Sequence, residues 1–173
     1  MLLIPIVVGL LLLAGWFSGK KLKQISCIFL FSTAIGRPCV IPTGSMEPTI
    51  HSWDWIWLSH ISALTAVHRG DVVCFPGPEG DKLYCKRVIG LGGETLQMRQ
   101  GQLLVNGQPL SEPWAEFTGE SWGPVSVPAG RLFVMGDHRS NSYDSRYWGT
   151  IPADFVSGKA LGIAFPPRHW RKL

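Results

Sequence analysis

The stretch "GDVVCFPGPEGDKLYCKRVIG", residues 70–90, consists of two runs rich in β-branched and aromatic residues, separated by a segment rich in glycine and proline. Runs of this kind predict two antiparallel strands joined by a longer loop. Cys74 and Cys85 lie symmetrically about the loop, so they could face each other across the hairpin. Two free, buried thiols are the favoured interpretation, and a disulfide is the alternative.

Similar short runs separated by turn residues continue on both sides of this hairpin, from residue 38 to the C-terminus. Short alternating runs recur at intervals of roughly 8–12 residues with turn residues between them, which predicts an antiparallel β-sandwich or barrel-like domain with little helix. The Asn-Gly pair of "VNGQ", residues 105–108, predicts a tight hairpin within that domain. The other runs are "WDWIWLSH", "ETLQMRQGQLLVNGQPL", "VSVPAGRLFVMGD" and "SGKALGIAFPP".

The N-terminal segment is far more apolar than the rest of the 173-residue chain. Residues 2–17 carry no charge and are followed by three lysines at positions 20, 21 and 23. About 20 apolar residues span a bilayer, so residues 1–36 are predicted to be a membrane anchor with at least one transmembrane helix. Residues 37–173 are predicted to form one compact β domain.

The orientation of this anchor depends on a second apolar run, residues 25–36, which is short for a span. If the run crosses back, the positive-inside rule places the β domain on the outer face of the membrane, and this arrangement is favoured. Alternatively the run lies in the interface, and the rival arrangement has one span and a cytoplasmic domain. A cleaved secretory signal is not expected, because the segment lacks a positively charged start and a small-x-small end.

The distribution of charge and of metal-binding residue types argues against two classes of function. The net charge is only +4 and no long basic stripe is present, so nucleic-acid binding is not expected. The five histidines are scattered and the four cysteines form no CxxC pair, so no metal site and no cofactor are predicted.

Three tryptophans, Trp53, Trp55 and Trp57, alternate along one predicted strand and therefore share one face of it. They form either a core face or an aromatic surface at the membrane interface, where indole rings are favoured. The sequence supports both interpretations about equally.

A candidate nucleophile, Ser45, lies in "VIPTGSMEPTI", residues 40–50. A serine hydroxyl is weakly nucleophilic unless a nearby base removes its proton. Histidine is the usual base, but the segments that contain His51, His60 and His138 do not single out any of the three. A base of another type is therefore worth seeking.

The more informative candidate is Lys86, which lies within the predicted strand "LYCKRVIG". Alternation places it on the same face as Tyr84 and Val88. Burial on such a face disfavours the charged amine and lowers its pKa, so a neutral Lys86 could accept the Ser45 proton. The alternative, which spacing alone favours, is that Lys86 extends to the rim of the sheet and keeps its ammonium group in water.

Four segments, in this order along the chain, resemble the four boxes of the type I signal peptidases. They are "IPTGSMEPTI", "GDVVCF", "YCKRVIGLGGE" and "GDHRSNSYDSRYWGTIP", and the resemblance extends from about residue 35 to residue 167. Proteins of that family are membrane-bound serine proteases that remove leader peptides from exported proteins. A lone Gly-Ser-Met is a weak signal, whereas four boxes in order behind a membrane anchor are a specific one.

The resemblance implies roles for individual residues. Ser45 is similar to the family nucleophile and Lys86 to its general base. Thr43, together with the Ser45 backbone N–H, is similar to the oxyanion hole, and Ser142 to the serine that orients the base. Residues similar to those that brace the active-site loops are Gly136, Asp137, Arg139, Asp144 and Arg146. Residues similar to those that line shallow pockets for small side chains are Ile41, Pro42, Met46, Ile50, Tyr84 and Cys85.

The resemblance also implies substrates, partners and location. The substrates would be preproteins cleaved after small-x-small sites such as Ala-x-Ala, bound as an added strand. The enzyme would be a monomer without a cofactor, in contact with the lipid bilayer of the cell membrane, with its β domain on the outer face. The fold would be the antiparallel β fold that these peptidases share with the self-cleaving SOS-type repressors.

Several departures from the family pattern leave alternatives open. His138 stands where asparagine is usual, and "WDWIWL" replaces a Gly-Asp turn. "LGGE" stands where Gly or Pro followed by Gly-Asp is commoner, which is a mild change. The insertion that larger bacterial members carry between the third segment and the fourth, which begins at Gly136, is short here. The ending "AFPPRHW" is also similar to mitochondrial inner-membrane peptidases, so an organellar relative is one alternative. The others are a self-cleaving repressor, a conjugation-type pilin-processing protease and a non-enzymatic membrane-tethered β module.

Overall fold

The computed structural model describes residues 36–59, 67–80 and 82–173 of the protein. The predicted membrane anchor falls outside these residues except for its last position, so its one or two spans remain a prediction. No helix in the described ranges combines the length and the apolar character needed to cross a membrane.

Strands dominate the described residues, which confirms the prediction of a mainly β, antiparallel fold. The strands are β1 Gly36–Ile41, β2 Asp54–Ser59, β3 Val72–Pro76, β4 Leu83–Gly90, β5 Thr95–Arg99, β6 Gln102–Val105, β7 Gln108–Pro109, β8 Trp122–Ser126, β9 Arg131–Met135, β10 Ile151–Pro152, β11 Gly158–Phe165 and β12 Arg171–Lys172. Helical structure within the described residues is limited to one α-helical turn, α1 Ser145–Trp148, and the short 3-10 helices Arg139–Asn141, Ala153–Phe155 and Pro167–His169.

These strands form two antiparallel sheets. The larger sheet has eight strands in the order β1-β2-β11-β3-β4-β9-β10, with β12 paired to β11. The smaller sheet has the order β7-β6-β5-β8. Because β4 pairs with β3 on one side and β9 on the other, it lies inside the larger sheet, and residues 85–90 are buried. Lys86 is therefore placed in the interior of the fold by the strand that carries it.

The hairpin of β3 and β4 forms as its sequence predicts. Cys74 and Cys85 are opposite each other in the register, and both are free thiols, so the disulfide alternative is wrong. A hydrogen bond with Cys85, together with burial, raises the pKa of the Cys74 thiol well above its ordinary value. The Asn-Gly hairpin is also confirmed: Val105 pairs with Gln108, and both central residues have positive φ, 51° at Asn106 and 79° at Gly107.

The three tryptophans do not form a core face, so that interpretation is wrong. Trp53 precedes β2 with a φ of 70° and is 69% exposed, Trp55 is 37% exposed, and Trp57 is only partly buried. The opposite face of β2, which carries Ile56 and Leu58, is completely buried instead. The interpretation as an aromatic surface at a membrane interface stays a prediction.

Candidate active site

The loop that carries Ser45 connects β1 to β2 and is anchored from beneath. Met46 and Ile50 are completely buried and belong to the apolar cluster that also contains Ile41 and Ile56. The backbone N–H of Ile50 donates to the Met46 carbonyl at 2.9 Å, which closes a turn between the two anchors. This packing explains why Met46 and Ile50, which follow the serine, are apolar, and it holds the backbone on that side of Ser45.

Lys86 reaches Ser45 from the neighbouring part of the sheet. Its Nζ lies 2.6 Å from Ser45 Oγ, within hydrogen-bonding distance, although the two residues are 41 positions apart in sequence. Lys86 is 4% exposed and Ser45 9% exposed. The alternative in which Lys86 extends to the rim of the sheet is therefore wrong.

Burial determines the protonation behaviour of Lys86. Loss of hydration lowers the pKa of its amine from the ordinary value of 10.5, and the neighbouring Cys85, with the more distant Asp144 and Asp137, opposes this change only partly. Among the described residues Lys86 forms no ion pair, and its nearest polar contact is the Ser45 hydroxyl. A buried lysine without a counterion is the arrangement in which a neutral amine becomes accessible.

Thr43 and Ser142 both lie close to Ser45. Thr43 is exposed, and its Oγ1 lies 3.3 Å from Ser45 Oγ. Ser142 is buried, but its Oγ has no hydrogen-bond partner in the described part of the chain. The hydrogen bond to Lys86 that the sequence led us to expect is therefore not made. The Ser142 hydroxyl nevertheless lies against Gly136, where an added Cβ would come within 2.2 Å of it and within 2.4 Å of the Ser45 carbonyl oxygen.

The loop after β9 is held by a carboxylate and a guanidinium that the sequence also predicted to act together. Asp144 Oδ1 and Oδ2 accept from Arg146 Nε and Nη2, both at 2.9 Å, and Asp144 Oδ2 also accepts from the Gly136 backbone N–H at 3.0 Å. Arg146 Nη2 donates to the carbonyl of Arg139 at 2.7 Å and to that of Ser142 at 3.3 Å. These contacts tie the two ends of the loop to each other beside Ser45.

Two further ion pairs involve residues that sequence reasoning missed. Asp137 accepts from Arg87 Nε at 2.9 Å and Nη2 at 2.6 Å, and both side chains are buried. Arg139 donates in the same bidentate way to Glu112, at 2.6 and 3.2 Å. The only sequence signal for Arg87 was a second cation beside Lys86 in an otherwise apolar strand.

His138 contacts the backbone of the serine loop rather than the serine hydroxyl. The His138 backbone N–H donates to the Ser45 carbonyl at 3.2 Å, and the ring atom Nδ1 lies 3.1 Å from the Gly44 carbonyl oxygen. His138 therefore does not act as a base for Ser45 and instead links two loops. His51 lies in a separate cluster with Asp54 and His169, and His60 falls outside the described residues.

A cleft of about 590 Å³ opens beside Ser45 and Lys86. Of the predicted pocket residues, Ile41, Pro42, Tyr84 and Cys85 line it. Met46 and Ile50 do not, because both are buried in the core beneath the loop. Lining residues that the sequence did not single out include Cys39, Leu83 and Tyr143.

Comparison with known proteins finds relatives that match the part of the chain that contains Ser45 and Lys86. A profile of the family described as "Signal peptidase, peptidase S26" matches residues 19–165. The protein belongs to this family. It is 38% identical over 144 residues to "Signal peptidase I" of Leptolyngbya laminosa, covering 78% of this chain and 71% of that protein. It is 36% identical over 150 residues to "Signal peptidase I" of Bacillus licheniformis, covering 79% of this chain and 80% of that protein.

A solved structure of a signal peptidase I from Enterococcus faecalis is also similar. It has a TM-score of 0.50 and 32% identity, and the match covers 55% of this chain and 97% of that one. Membership of the family places the protein among the serine peptidases that cleave signal peptides. The resemblance stated from the four boxes is thereby confirmed.

Proposed function

We propose that the protein is a membrane-bound serine endopeptidase that removes N-terminal signal peptides from exported preproteins after small-x-small sites, with Ser45 as nucleophile and Lys86 as general base. The observation that carries this proposal is the 2.6 Å contact between Lys86 Nζ and Ser45 Oγ. The lowered pKa of the buried Lys86 supports it, because only the neutral amine can accept a proton.

In the acylation step, neutral Lys86 takes the proton of the Ser45 hydroxyl as Oγ attacks the scissile carbonyl carbon. The resulting oxyanion accepts hydrogen bonds from the Thr43 hydroxyl and the Ser45 backbone N–H. The Lys86 ammonium then donates its proton to the departing amine, which leaves an ester on Ser45 and a neutral lysine. The 3.3 Å distance between Thr43 Oγ1 and Ser45 Oγ supports Thr43 in this role.

In the deacylation step, neutral Lys86 takes a proton from a water molecule that attacks the Ser45 ester. Collapse of the second tetrahedral intermediate releases the signal peptide and returns the proton from Lys86 to Ser45 Oγ. Ser142 acts as a residue that positions the Lys86 amine. Its buried hydroxyl is free of other partners in the described residues and lies beside the Ser45 backbone. No step requires a cofactor.

The cleft suggests how specificity for small side chains arises. An extended substrate would bind along it as an added strand, with its small side chains against Ile41, Tyr84 and Cys85. The predicted anchor, residues 1–36, would hold the enzyme as a monomer in the lipid bilayer of the cell membrane, with the β domain on the outer face.

The test uses the full chain in detergent and a preprotein with an Ala-x-Ala cleavage site. We expect Ser45→Ala and Lys86→Ala each to abolish cleavage while circular dichroism shows an intact fold. Lys159→Ala is the matched control, because this lysine also lies on a strand of the larger sheet but pairs with Asp71, at 2.7 Å, and it should retain cleavage. Cleavage by either Ser45→Ala or Lys86→Ala at the wild-type rate would refute the proposal.

A further inference from the structure

Three residues with metal-binding side chains converge beside the serine loop. His51 lies near the end of that loop, Asp54 begins β2, and His169 lies in the 3-10 helix near the C-terminus, 115 positions from Asp54. One donor atom from each residue lies within 4.8 Å of the others. The shortest separations are 2.7 Å between His169 Nδ1 and Asp54 Oδ1, and 3.9 Å between His51 Nδ1 and Asp54 Oδ2.

The environment of these atoms leaves one nitrogen unsatisfied. The Asp54 side chain is 2% exposed, the His169 side chain 23% exposed and the His51 side chain 45% exposed. His51 Nδ1 is itself buried and has no hydrogen-bond partner among the described residues. Buried polar atoms usually have such a partner. Neither tautomer of His51 removes the deficit, because Nδ1 lacks an acceptor when it carries a proton and lacks a donor when it does not.

A metal ion would satisfy this nitrogen, and the three side chains form a suitable ligand set. Two imidazoles and one carboxylate, with a fourth position open to water, are ligands that tetrahedral zinc accepts. Imidazole nitrogen favours ions such as Zn²⁺ over Mg²⁺ or Ca²⁺. Bonds of about 2.0–2.1 Å place tetrahedral ligands about 3.3 Å apart. His169 Nδ1 and Asp54 Oδ1, which are hydrogen-bonded at 2.7 Å, would therefore move apart by about 0.6 Å, and His51 Nδ1 would approach Asp54 by about as much. We infer that His51, Asp54 and His169 bind a divalent transition-metal ion of the zinc type.

The chain contains a second turn of the same kind that lacks the third ligand. In "HRGD", as in "HSWD", the histidine backbone N–H donates to the carboxylate three residues later, at 2.7 Å for His68 and 2.9 Å for His51. The two histidine Nδ1 atoms also lie at similar distances from the carboxylate, 3.8 and 3.9 Å. At the second turn, however, the remaining partner of Asp71 is Lys159 Nζ at 2.7 Å. A lysine ammonium neutralises the carboxylate and offers no lone pair, so we expect no metal binding there.

The position of the proposed metal site suggests what it does. Arg171, two residues after His169, donates to the Pro48 carbonyl at 2.7 Å and also to the Thr49 carbonyl, both in the serine loop. A metal ion held by His51 and His169 would add a second link between the C-terminal segment and that loop. The site therefore stabilises the loop and takes no part in the chemistry of Ser45, and the inference does not depend on the proposed function.

The test measures metal binding directly on the full chain in detergent, purified without a polyhistidine tag and treated with a chelator. Calorimetric titration with ZnCl₂ should give one equivalent of bound Zn²⁺. His51→Ala and His169→Ala should each weaken binding at least about tenfold, since even residues that only support a ligand change affinity by about 10–100-fold. His68→Ala is the matched control and should bind Zn²⁺ as the wild type does.

Two further measurements keep the inference open to refutation if an alanine variant folds poorly. Co²⁺ bound in place of Zn²⁺ should show the visible absorption of a tetrahedral site with nitrogen and oxygen ligands, without thiolate charge-transfer bands. Zn²⁺ should raise the unfolding temperature of the wild type and of His68→Ala, but not that of His169→Gln. The inference fails if the wild type binds no Zn²⁺, if His51 and His169 variants bind it unchanged, or if Co²⁺ shows sulfur ligation.

Discussion

Lys86 and Arg87 are neighbours on β4 and are almost equally buried, at 4% and 6% exposure. Only Arg87, however, is paired with a carboxylate. Arg87 makes two hydrogen bonds to the Asp137 carboxylate, at 2.9 and 2.6 Å, and its guanidinium lies 4.7 Å from the centre of the Trp114 ring. Lys86 has no carboxylate partner among the described residues, and its amine contacts the Ser45 hydroxyl.

The difference follows from what each side chain can do with its proton. A guanidinium stays charged inside a protein, so its burial requires a counterion. An amine can lose its proton, so burial without a counterion lowers its pKa instead. Because successive residues of a strand point to opposite faces, one strand presents a structural cation on one side and a proposed base on the other.

Exchanging the type of cation at the two positions should separate their roles most clearly. Lys86→Arg keeps a positive charge but cannot act as a base, so we expect signal-peptide cleavage to fall about 10²–10⁴-fold. Arg87→Lys keeps a cation beside Asp137 and should change the cleavage rate less than about tenfold. Steady-state kinetics on both variants checks this, and equal losses from the two substitutions would contradict the distinction between them.

The next effect concerns stability. Arg87→Met leaves the buried Asp137 carboxylate without its partner, so we expect the free energy of unfolding to fall by about 3–5 kcal/mol. The double substitution Arg87→Met with Asp137→Leu removes both charges and should recover most of that loss. Denaturant unfolding of the full chain in detergent measures both. A loss below about 1 kcal/mol for Arg87→Met would mean that the pair is not structural.

The smallest effect is the pH dependence that Lys86 adds to stability. The pKa of Lys86 is lowered in the folded state, so between that pKa and 10.5 the unfolded state binds more protons. The contribution of Lys86 to the free energy of unfolding therefore rises with pH across this window and is lost as the pH falls through the same window. Lys86→Met lacks this contribution, so the variant should gain stability relative to the wild type as the pH falls. Unfolding temperatures that run parallel over the whole range would argue against a lowered pKa.

The sequence predicted the features that depend on local pattern. Alternation and turn residues were sufficient to predict the hairpin that carries Lys86, and the same alternation placed Lys86 and Arg87 on opposite faces. The four boxes then indicated the family and the pairing of Ser45 with Lys86.

Features that depend on packing between distant segments were not predictable in this way. Met46 and Ile50 were expected to line the cleft, but the large apolar cluster beneath the loop buries them. The partner of Arg87 lies 50 positions away, and nothing near either residue indicates the pair. The scattered histidines led to the prediction of no metal site. That reasoning no longer holds for His51 and His169, because the fold brings their rings to 4.7 Å.

The role of Lys86 as general base is tested most directly by a titration of Lys86 itself. Lysines labelled with ¹³C at Cε in the full chain can be followed by NMR as the pH is raised, with Lys86→Met used to assign the Lys86 signal. Lys82, in the same hairpin, is the internal reference, because its hydrogen bond to Glu79 raises its pKa above 10.5. We predict that Lys86 loses its proton below 10.5 and well before Lys82. A Lys86 that titrates together with Lys82, or after it, would contradict the assignment of Lys86 as the general base.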